Sequence, residues 1–340
     1  MAREYELSVV TPTYNRKARL SRVLSALERQ TADPTRFEVV VVDDGSTDGT
    51  SDALRTSSFP FSLRTLRQNN SGPARARNTG VEAARGELVL FLDDDVEPLP
   101  DLIAEHLRSH AAEQDDLVVI GPLSSLPHYP QPWVAWEQAK VEAQYEAMLR
   151  GDYAPTFRQF WTGNASVGRR HVVDAGGFNP EFLRGEDVEL GRRLDARGLK
   201  FRFNPRAIGL HHAERSLDSW SLAHTSYGRL EVQIFGDLGH DTLIELLAGN
   251  YERLHLGTRL LLRSCRDRPA LERAARQALR SFLLSKTATR VPSVSDKVCG
   301  VLANLLYWQA SAEALGKRRF EEVLSLAGEP VSPRRGMLAD

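Results

Sequence analysis

Cysteine is nearly absent from this sequence, and the two that occur, Cys265 and Cys299, fall into no repeated spacing. That excludes a disulfide framework and a cysteine-rich zinc site, and it fits a reducing compartment. No run approaches the roughly 20 apolar residues of a membrane span, and the start, MAREYELSVV, lacks the apolar stretch of a cleavable signal. The expected location is therefore cytoplasmic. A charge excess is missing too: 44 Lys or Arg stand against 45 Asp or Glu, so no global field recruits nucleic acid. No GxGxxG or Walker pattern follows the early apolar runs, which removes the phosphate cradle of a dinucleotide-binding or ATP-hydrolysing protein. What remains is 340 residues of ordinary globular composition, 41% hydrophobic and 26% charged, enough to bury a real core.

Residues 7–11 form a β-branched run closed by Pro12, and Leu20, Val23, Leu24 and Leu27 then follow the i, i+3, i+4, i+7 spacing of a helix. The run Val39–Val42 is continuous rather than alternating, as in a parallel strand buried on both faces, and it ends in Asp43, Asp44 and Gly45. A strand near Leu63–Leu66, a helix over 73–85 and the run Leu88–Leu92 lead to Asp93, Asp94 and Asp95. This alternation predicts an α/β fold with a doubly wound, mostly parallel sheet, whose ligands lie beyond the carboxyl ends of the strands. After a strand at Leu117–Ile120, the prolines at 122, 127, 130 and 132 predict a loop or crossover. Val188–Leu194 reads as a helix opened by Glu186 and Asp187, and the texture is helical from Asp218 onward. The last dozen residues, with Pro330 and Pro333, read as a loose tail.

Three adjacent carboxylates repel one another unless a cation compensates them. Aspartate oxygens suit magnesium or manganese, which retain waters and bridge to substrate phosphates. Helix capping explains the triplet less well, because Pro98 and Pro100 move the next helix start to Asp101, which can cap alone. Asp43 and Asp44 can accept hydrogen bonds from a base edge or ribose, where an isolated Asp-Gly turn would be unremarkable. Glu186 and Asp187 gain from the helix dipole, and flanking Phe182 and Leu183 would desolvate them, as a general base requires. Of the adjacent His211 and His212, at most one can face a metal, since neighbours on a strand project oppositely. Trp161, Thr162, Gly163 and Asn164 pair an aromatic face with small polar groups useful against a sugar, core packing being the alternative for the tryptophan.

In chain order, VVTPTYNR, VVVDDGSTDGT, ARARNTG with ARGELVLFLDDD, and GGF with RGEDVELGRRL resemble the family-2 type nucleotide-sugar glycosyltransferases with the GT-A fold, over roughly residues 5–212. The resemblance implies a Rossmann-like catalytic domain over 1–215, with a nucleotide-binding half 1–121 and an acceptor half 122–215, followed by a helical C-terminal region, 216–340. It implies that Pro12, Thr13, Tyr14, Asp44, Arg77 and Asn78 surround the nucleoside. Asp93–Asp95 would be the DxD motif, with Asp95 the metal contact and Asp93 or Asp94 near the ribose and diphosphate. Asp93 could also join the Mn2+ or Mg2+, and His211 would ligate it, with His212 in reserve. Asp187 matches the general base and Glu186 a positioning residue; Trp161 and Asn164 would meet acceptor or sugar. The expected donor is a nucleotide-diphosphate sugar and the expected acceptor a sugar, lipid-linked or other hydroxyl. One base and one metal suffice for inverting single displacement; the alternatives are a retaining transferase on the same fold and a non-catalytic nucleotide-sugar or glycan-binding module. Asn179 stands where many relatives carry aspartate, and no QxxRW motif follows, so single-sugar transfer is expected.

The helical region carries its own signal. Between Arg253 and Lys297, eleven Lys or Arg face three Asp or Glu, a local net charge of +8. Leu271, Ala274, Ala275, Ala278, Leu279 and Phe282 form an apolar stripe. Its simplest reading is core packing or a homodimer contact, and the alternative is peripheral contact with an anionic membrane surface or a lipid-linked phosphate.

Overall fold

A computed structural model describes residues 4–112, 116–125, 129–182, 184–236 and 240–329. The tail from Pro330, Pro127 and Leu183 lie outside the described residues. The chain divides into two units. One joins the residues up to Tyr129 with Glu137–Glu214, and the other joins Pro130–Trp136 with the residues from Arg215 onward.

The first unit is built on a seven-stranded sheet with strands β1 (Tyr5–Thr13), β2 (Phe37–Asp43), β3 (Ser62–Arg67), β4 (Gly86–Leu92), β6 (Leu117–Ile120), β8 (Asn164–Gly168) and β9 (Lys200–Phe203), in the order β3-β2-β1-β4-β8-β6-β9. The β3-β2-β1-β4 run is parallel, β8 is antiparallel to both β4 and β6, and β9 returns parallel to β6. The expected α/β, mostly parallel sheet is therefore present. Its period explains the continuous apolar runs: in β2, Val39 and Val41 enter one core cluster while Val40 and Val42 enter the other. Helix α1 (Lys17–Leu27) covers the first cluster with Leu20, Val23, Leu24 and Leu27. Helix α3 (Pro73–Ala83) covers the second, and Gly80 lets it approach closely, since a Cβ there would stand 2.4 Å from Val10 Cγ1.

Elements too short for a periodic signal complete this unit. Strands β5 (Val96–Pro98), β7 (Leu123–Ser124) and β10 (Gly209–His211) form a small second sheet in the order β5-β10-β7. A strand thus interrupts the expected loop over 122–132. Helices α2 (Thr50–Thr56), α4 (Leu102–Ala112), α6 (Arg169–Asp174) and α7 (Glu186–Ala196) fill the connections, while α5 (Pro132–Arg150) begins in the second unit and continues in the first.

The second unit is helical: α8 (Leu217–Phe235), α9 (His240–Glu252), α10 (Leu256–Cys265), α11 (Pro269–Leu283), α12 (Pro292–Leu315) and α13 (Lys317–Leu326). Buried α12 is its centre and packs along α8, where Gly228 leaves room for the Tyr307 carbonyl and Ser311 donates to the Gly228 carbonyl at 3.0 Å. On α11 only Glu272 and Leu283 are buried, and Leu271, Ala274 and Ala278 are exposed. Periodicity therefore identifies the helix, but half of the apolar stripe does not enter the core.

Candidate active site

The carboxyl ends of β2 and β4 deliver the acids, and that of β1 delivers Thr13 and Tyr14. At the end of β2, Gly45 adopts φ +87°, where a side chain would also meet the Asn70 backbone at 2.9 Å. The turn this permits sends Asp43 and Asp44 different ways. Asp43 accepts from Ser46 N at 2.8 Å, from Ser51 and from Arg67 at 3.2 Å, fixing the turn itself. Asp44 accepts from Gln68 Nε2 at 2.7 Å and from the backbone N–H groups of Ser71 and Gly72 at 2.9 Å each. Its carboxylate laces the segment before α3 to the sheet, with one lone-pair site left for a ligand. Pro12 is half-buried, Thr13 is buried and Tyr14 is 47% exposed, so Tyr14 is the residue of that group with an open ring.

The acid triplet follows β4, and its members take different partners. Arg77, buried on α3, donates from Nη2 to Asp93 Oδ1 and from Nη1 to Glu186 Oε1, both at 2.7 Å. Burial works against its charge, but Asp93, Glu186 and Asp187 together hold the guanidinium ionised. Asp94 is buried, accepts from Thr13 Oγ1 at 2.7 Å and Arg16 Nη1 at 2.8 Å, and burial pushes its carboxyl up to about 6 against the pull of Arg16. Asp95 receives Arg16 Nη1 at 2.9 Å and Arg19 Nη1 at 3.4 Å on Oδ2, while His211 Nε2 stands 3.7 Å from Oδ1. His212 turns the other way, to Glu97 Oε2 at 3.3 Å.

Sequence reasoning passed over Arg16 and Arg19. A signal existed: Arg16 sits at the start of α1, where the helix dipole disfavours a cation unless acids face it. Asn15 aims it. This residue adopts φ +53°, its N–H donates to Ser46 Oγ at 2.9 Å, and its Oδ1 accepts from Thr47 N at 2.8 Å.

Beyond the Arg77 guanidinium, α7 begins after Gly185 with Glu186 and Asp187 in its first turn. Burial first, and then the neighbouring Glu186, raise the Asp187 carboxyl well above the usual carboxylate range, opposed by Arg77 and by a 2.8 Å hydrogen bond from Val188 N. Arg77 thus joins the end of β4 to the start of α7 through one guanidinium. Trp161 is half-buried, with Tyr145 in edge contact at 6.1 Å, and the Gly163 carbonyl accepts from Asp93 N at 3.4 Å.

Two expected ligand contacts are corrected by burial and hydrogen bonding. Asn78 spends its amide on Phe178, donating to O at 2.8 Å and accepting from N at 2.7 Å, so it closes the GGF turn rather than reaching a nucleoside. Asn164 is fully buried; it donates to the carbonyls of Pro122 at 3.1 Å and Ala207 at 2.7 Å, and its Oδ1 meets His106 Nε2 at 3.0 Å. It is a structural anchor, not an acceptor contact. Arg77 spends Nη1 on Glu186 and Nη2 on Asp93, while its buried Nε has no hydrogen-bond partner among the described residues.

The fit to a divalent cation rests on two donors. Among the described residues no group of three His, Cys, Asp or Glu side chains converges in metal-holding geometry. Asp93 turns to Arg77, while Asp95 Oδ1 and His211 Nε2 are close enough to share a cation whose other positions are water and substrate oxygen. The carboxylate oxygen suits manganese or magnesium, and the imidazole nitrogen favours manganese, the softer of the two.

The sequence profile of glycosyl transferase family 2 matches residues 8–173. The chain is 35% identical over 231 residues to validoxylamine A glucosyltransferase of Streptomyces hygroscopicus subsp. limoneus, an alignment covering 60% of this chain and 51% of that protein. It spans about half the length of such curated relatives. Among solved structures, mannosyltransferase PcManGT from Pyrobaculum calidifontis, in complex with GDP-Man and Mn2+, superposes with a TM-score of 0.57 at 20% identity, covering 92% of this chain and 88% of that one. S. aureus TarS 1-349 in complex with UDP-GlcNAc gives 0.54 at 18% identity, covering 91% of each chain. At that identity these structures speak for the fold. With the ordered motifs and the sheet described above, residues 8–173 are similar to glycosyltransferase family 2, and the fold around them is GT-A.

Proposed function

We propose that this protein transfers a sugar from a nucleoside-diphosphate donor to an acceptor hydroxyl, with inversion, using Asp187 as general base and a divalent cation at Asp95 and His211. The observation that carries the reading is the Arg77 bridge, which ties Asp93, beside the donor acids, to Glu186, beside a half-buried carboxylate of raised basicity. The named relatives support the substrate class: one solved neighbour holds GDP-Man with Mn2+ and another UDP-GlcNAc.

Each residue has a task. Tyr14 offers its ring to the base, and Asp44 its remaining lone pair. Asp95 and His211 would hold Mn2+ or Mg2+, which supplies Lewis-acid neutralisation of the departing diphosphate. Arg16 and Arg19, already beside Asp95, add positive charge at the same place. On the opposite face of the sugar, Asp187 takes the proton of the acceptor hydroxyl as the acceptor oxygen bonds to the anomeric carbon. The anomeric C–O bond breaks, its electron pair leaves with the diphosphate, and Asp187 releases the proton to water. Glu186, held by Arg77, fixes the first turn of α7 so that Asp187 keeps its position.

Asp95→Ala tests this reading. The variant should lose transfer and the manganese dependence of nucleotide binding, measured by calorimetry with UDP, GDP and dTDP sugars. Full activity of the unaltered protein in EDTA would overturn it.

A further inference from the structure

The core behind the acid triplet contains a row of polar side chains that take no part in sugar transfer as described above. On α4, His106 and His110 stand one helical turn apart, and both reach Ser166 of β8. His106 Nδ1 lies 2.8 Å from Ser166 Oγ, His106 Nε2 lies 3.0 Å from Asn164 Oδ1, and His110 Nε2 lies 2.8 Å from Ser166 Oγ. His106, Asn164 and Ser166 are fully buried. Leucine and valine would fill the same layer without the cost of desolvating an imidazole, a hydroxyl and an amide, so these groups call for a reason of their own.

The protons of this row can be assigned from its far end. Asn164 Nδ2 meets two carbonyls, Pro122 O at 3.1 Å and Ala207 O at 2.7 Å, and carbonyls only accept. Its Oδ1 is therefore the atom turned to His106, so His106 carries its proton on Nε2. Burial pushes the His106 pKa down to about 4 and that of His110 to about 3, so both rings are neutral at ordinary pH. Nδ1 of His106 is then bare and takes the Ser166 hydroxyl proton, and Ser166 accepts in turn from His110 Nε2. Every link has one direction, from His110 through Ser166 and His106 to Asn164.

That end holds backbone beside the candidate site. Asn164 pairs with Leu92, the residue before Asp93, and the Gly163 carbonyl accepts from Asp93 N at 3.4 Å. Of the two carbonyls on the Asn164 amide, Pro122 O also accepts from Gly209 N at 3.0 Å, and Ala207 stands two residues before β10 begins. Strand β10 carries His211, and His212 N donates to the Asp95 carbonyl at 2.9 Å. Gly121 leaves the amide its room, since a Cβ there would stand 2.3 Å from both Asn164 Nδ2 and the Ala207 carbonyl oxygen. One amide thus clasps the strand that ends in the acid triplet and the segment that delivers the histidine.

We propose that His106 is a positioning residue for the divalent cation: by fixing the Asn164 amide it holds the segment entering β10, and with it His211, where His211 and Asp95 can share an ion. The inference rests on the cation site of the transfer reading. His106 itself touches neither ion nor sugar. Groups that orient metal ligands from outside the coordination sphere are worth about 10–100-fold in affinity, and one acting through a second residue belongs at the lower end of that range.

The test is a titration of the full chain with Mn2+, read from the free-ion signal in electron paramagnetic resonance, at a temperature where circular dichroism shows each variant folded. His106→Leu, which leaves Asn164 Oδ1 without a donor, should weaken Mn2+ binding about tenfold. His106→Gln, which can return an N–H to that oxygen, should restore the affinity to within about threefold. Ser166→Ala keeps the ring and removes the proton given to Nδ1; it should weaken binding by a smaller factor, and it decides the matter if the leucine variant does not fold. A row that serves the core alone would lower the melting temperature and leave the Mn2+ affinity of the folded variants unchanged, and that result overturns the proposal. Asp95→Ala separates the two ways of failing. If Asp95→Ala binds Mn2+ as the unaltered protein does, the cation site is wrong and this inference falls with it. If Asp95→Ala loses the ion while the folded His106 and Ser166 variants keep full affinity, the cation site stands and the role of His106 falls alone.

Discussion

Arginine does opposite work in the two units. In the sheet unit, Arg77 lies buried between Asp93 and Glu186, and Arg16 spans Asp94 and Asp95. In the helical unit, Arg263, Arg268 and Arg273 stand in solvent without an ion pair among the described residues. Charges of the first kind act by direct contact at fixed distances, where little solvent intervenes. Charges of the second kind act only as a field, which salt screens within about 8 Å at physiological ionic strength. Ionic strength should therefore separate the consequences of altering them.

The largest expected effect belongs to the sheet unit. Asp187→Asn should lower kcat by about 10²–10⁴ while donor affinity, read by calorimetry, holds. The loss should be the same at low and high salt. Should donor affinity collapse along with the rate, Asp187 is a structural residue and not the base. The pH profile carries the same information with its sign fixed. A base works ionised, and burial with Glu186 raises the Asp187 carboxyl, so its protonated form persists to higher pH. The rate should fall with decreasing pH through an inflection well above about 4, the ordinary aspartate value. An inflection at the ordinary value would remove the argument for desolvation at α7.

Next in size is a stability contrast. Arg77→Met leaves Asp93 and buried Glu186 without their shared cation, which should cost about 3–5 kcal/mol in urea unfolding of the full chain. Arg273→Met, at a position with no ion pair among the described residues, should change stability by less than about 0.5 kcal/mol. Equal losses would erase the distinction between the two uses of arginine.

What could be read from the sequence divides along similar lines. The parallel strands were legible because a strand buried on both faces must be continuously apolar, as Val39–Val42 is. Asp93–Asp95 and Glu186 with Asp187 were legible because adjacent acids require compensation wherever they lie. The compensating groups were not, since Arg16 and Arg77 meet their acids only through the fold, across 78 residues for Arg16 and Asp94 and 109 for Arg77 and Glu186. Asn78 and Asn164 looked like ligand residues because an asparagine among small polar neighbours has the same composition whether it binds a substrate or a carbonyl. A buried network, His106 bridging Asn164 and Ser166 with His110 also at Ser166, gave no local signal at all. For α11 the period identified a helix but could not say whether anything covered its apolar face.

The smallest expected effect probes the border between the two kinds of charge. The Arg16 side chain is 46% exposed, yet its Nη1 lies 2.8 Å from Asp94 and 2.9 Å from Asp95. It is partly a contact and partly a field, and it stands beside the carboxylate that would take the cation. If Asp95 takes the cation as proposed, Arg16 and Mn2+ would compete for its negative charge in the donor-free protein, and diphosphate oxygens of a bound donor would give the guanidinium a second partner and relieve that competition. Arg16→Gln should therefore tighten Mn2+ binding to the donor-free protein, read from the free-ion signal in electron paramagnetic resonance, by about two- to fivefold, the worth of a partly exposed ion pair. The same variant should weaken nucleotide-sugar binding in saturating Mn2+, and both changes should shrink as salt rises. If Mn2+ affinity stays fixed while donor affinity falls, Arg16 serves the diphosphate alone and its place beside Asp95 has no bearing on the metal.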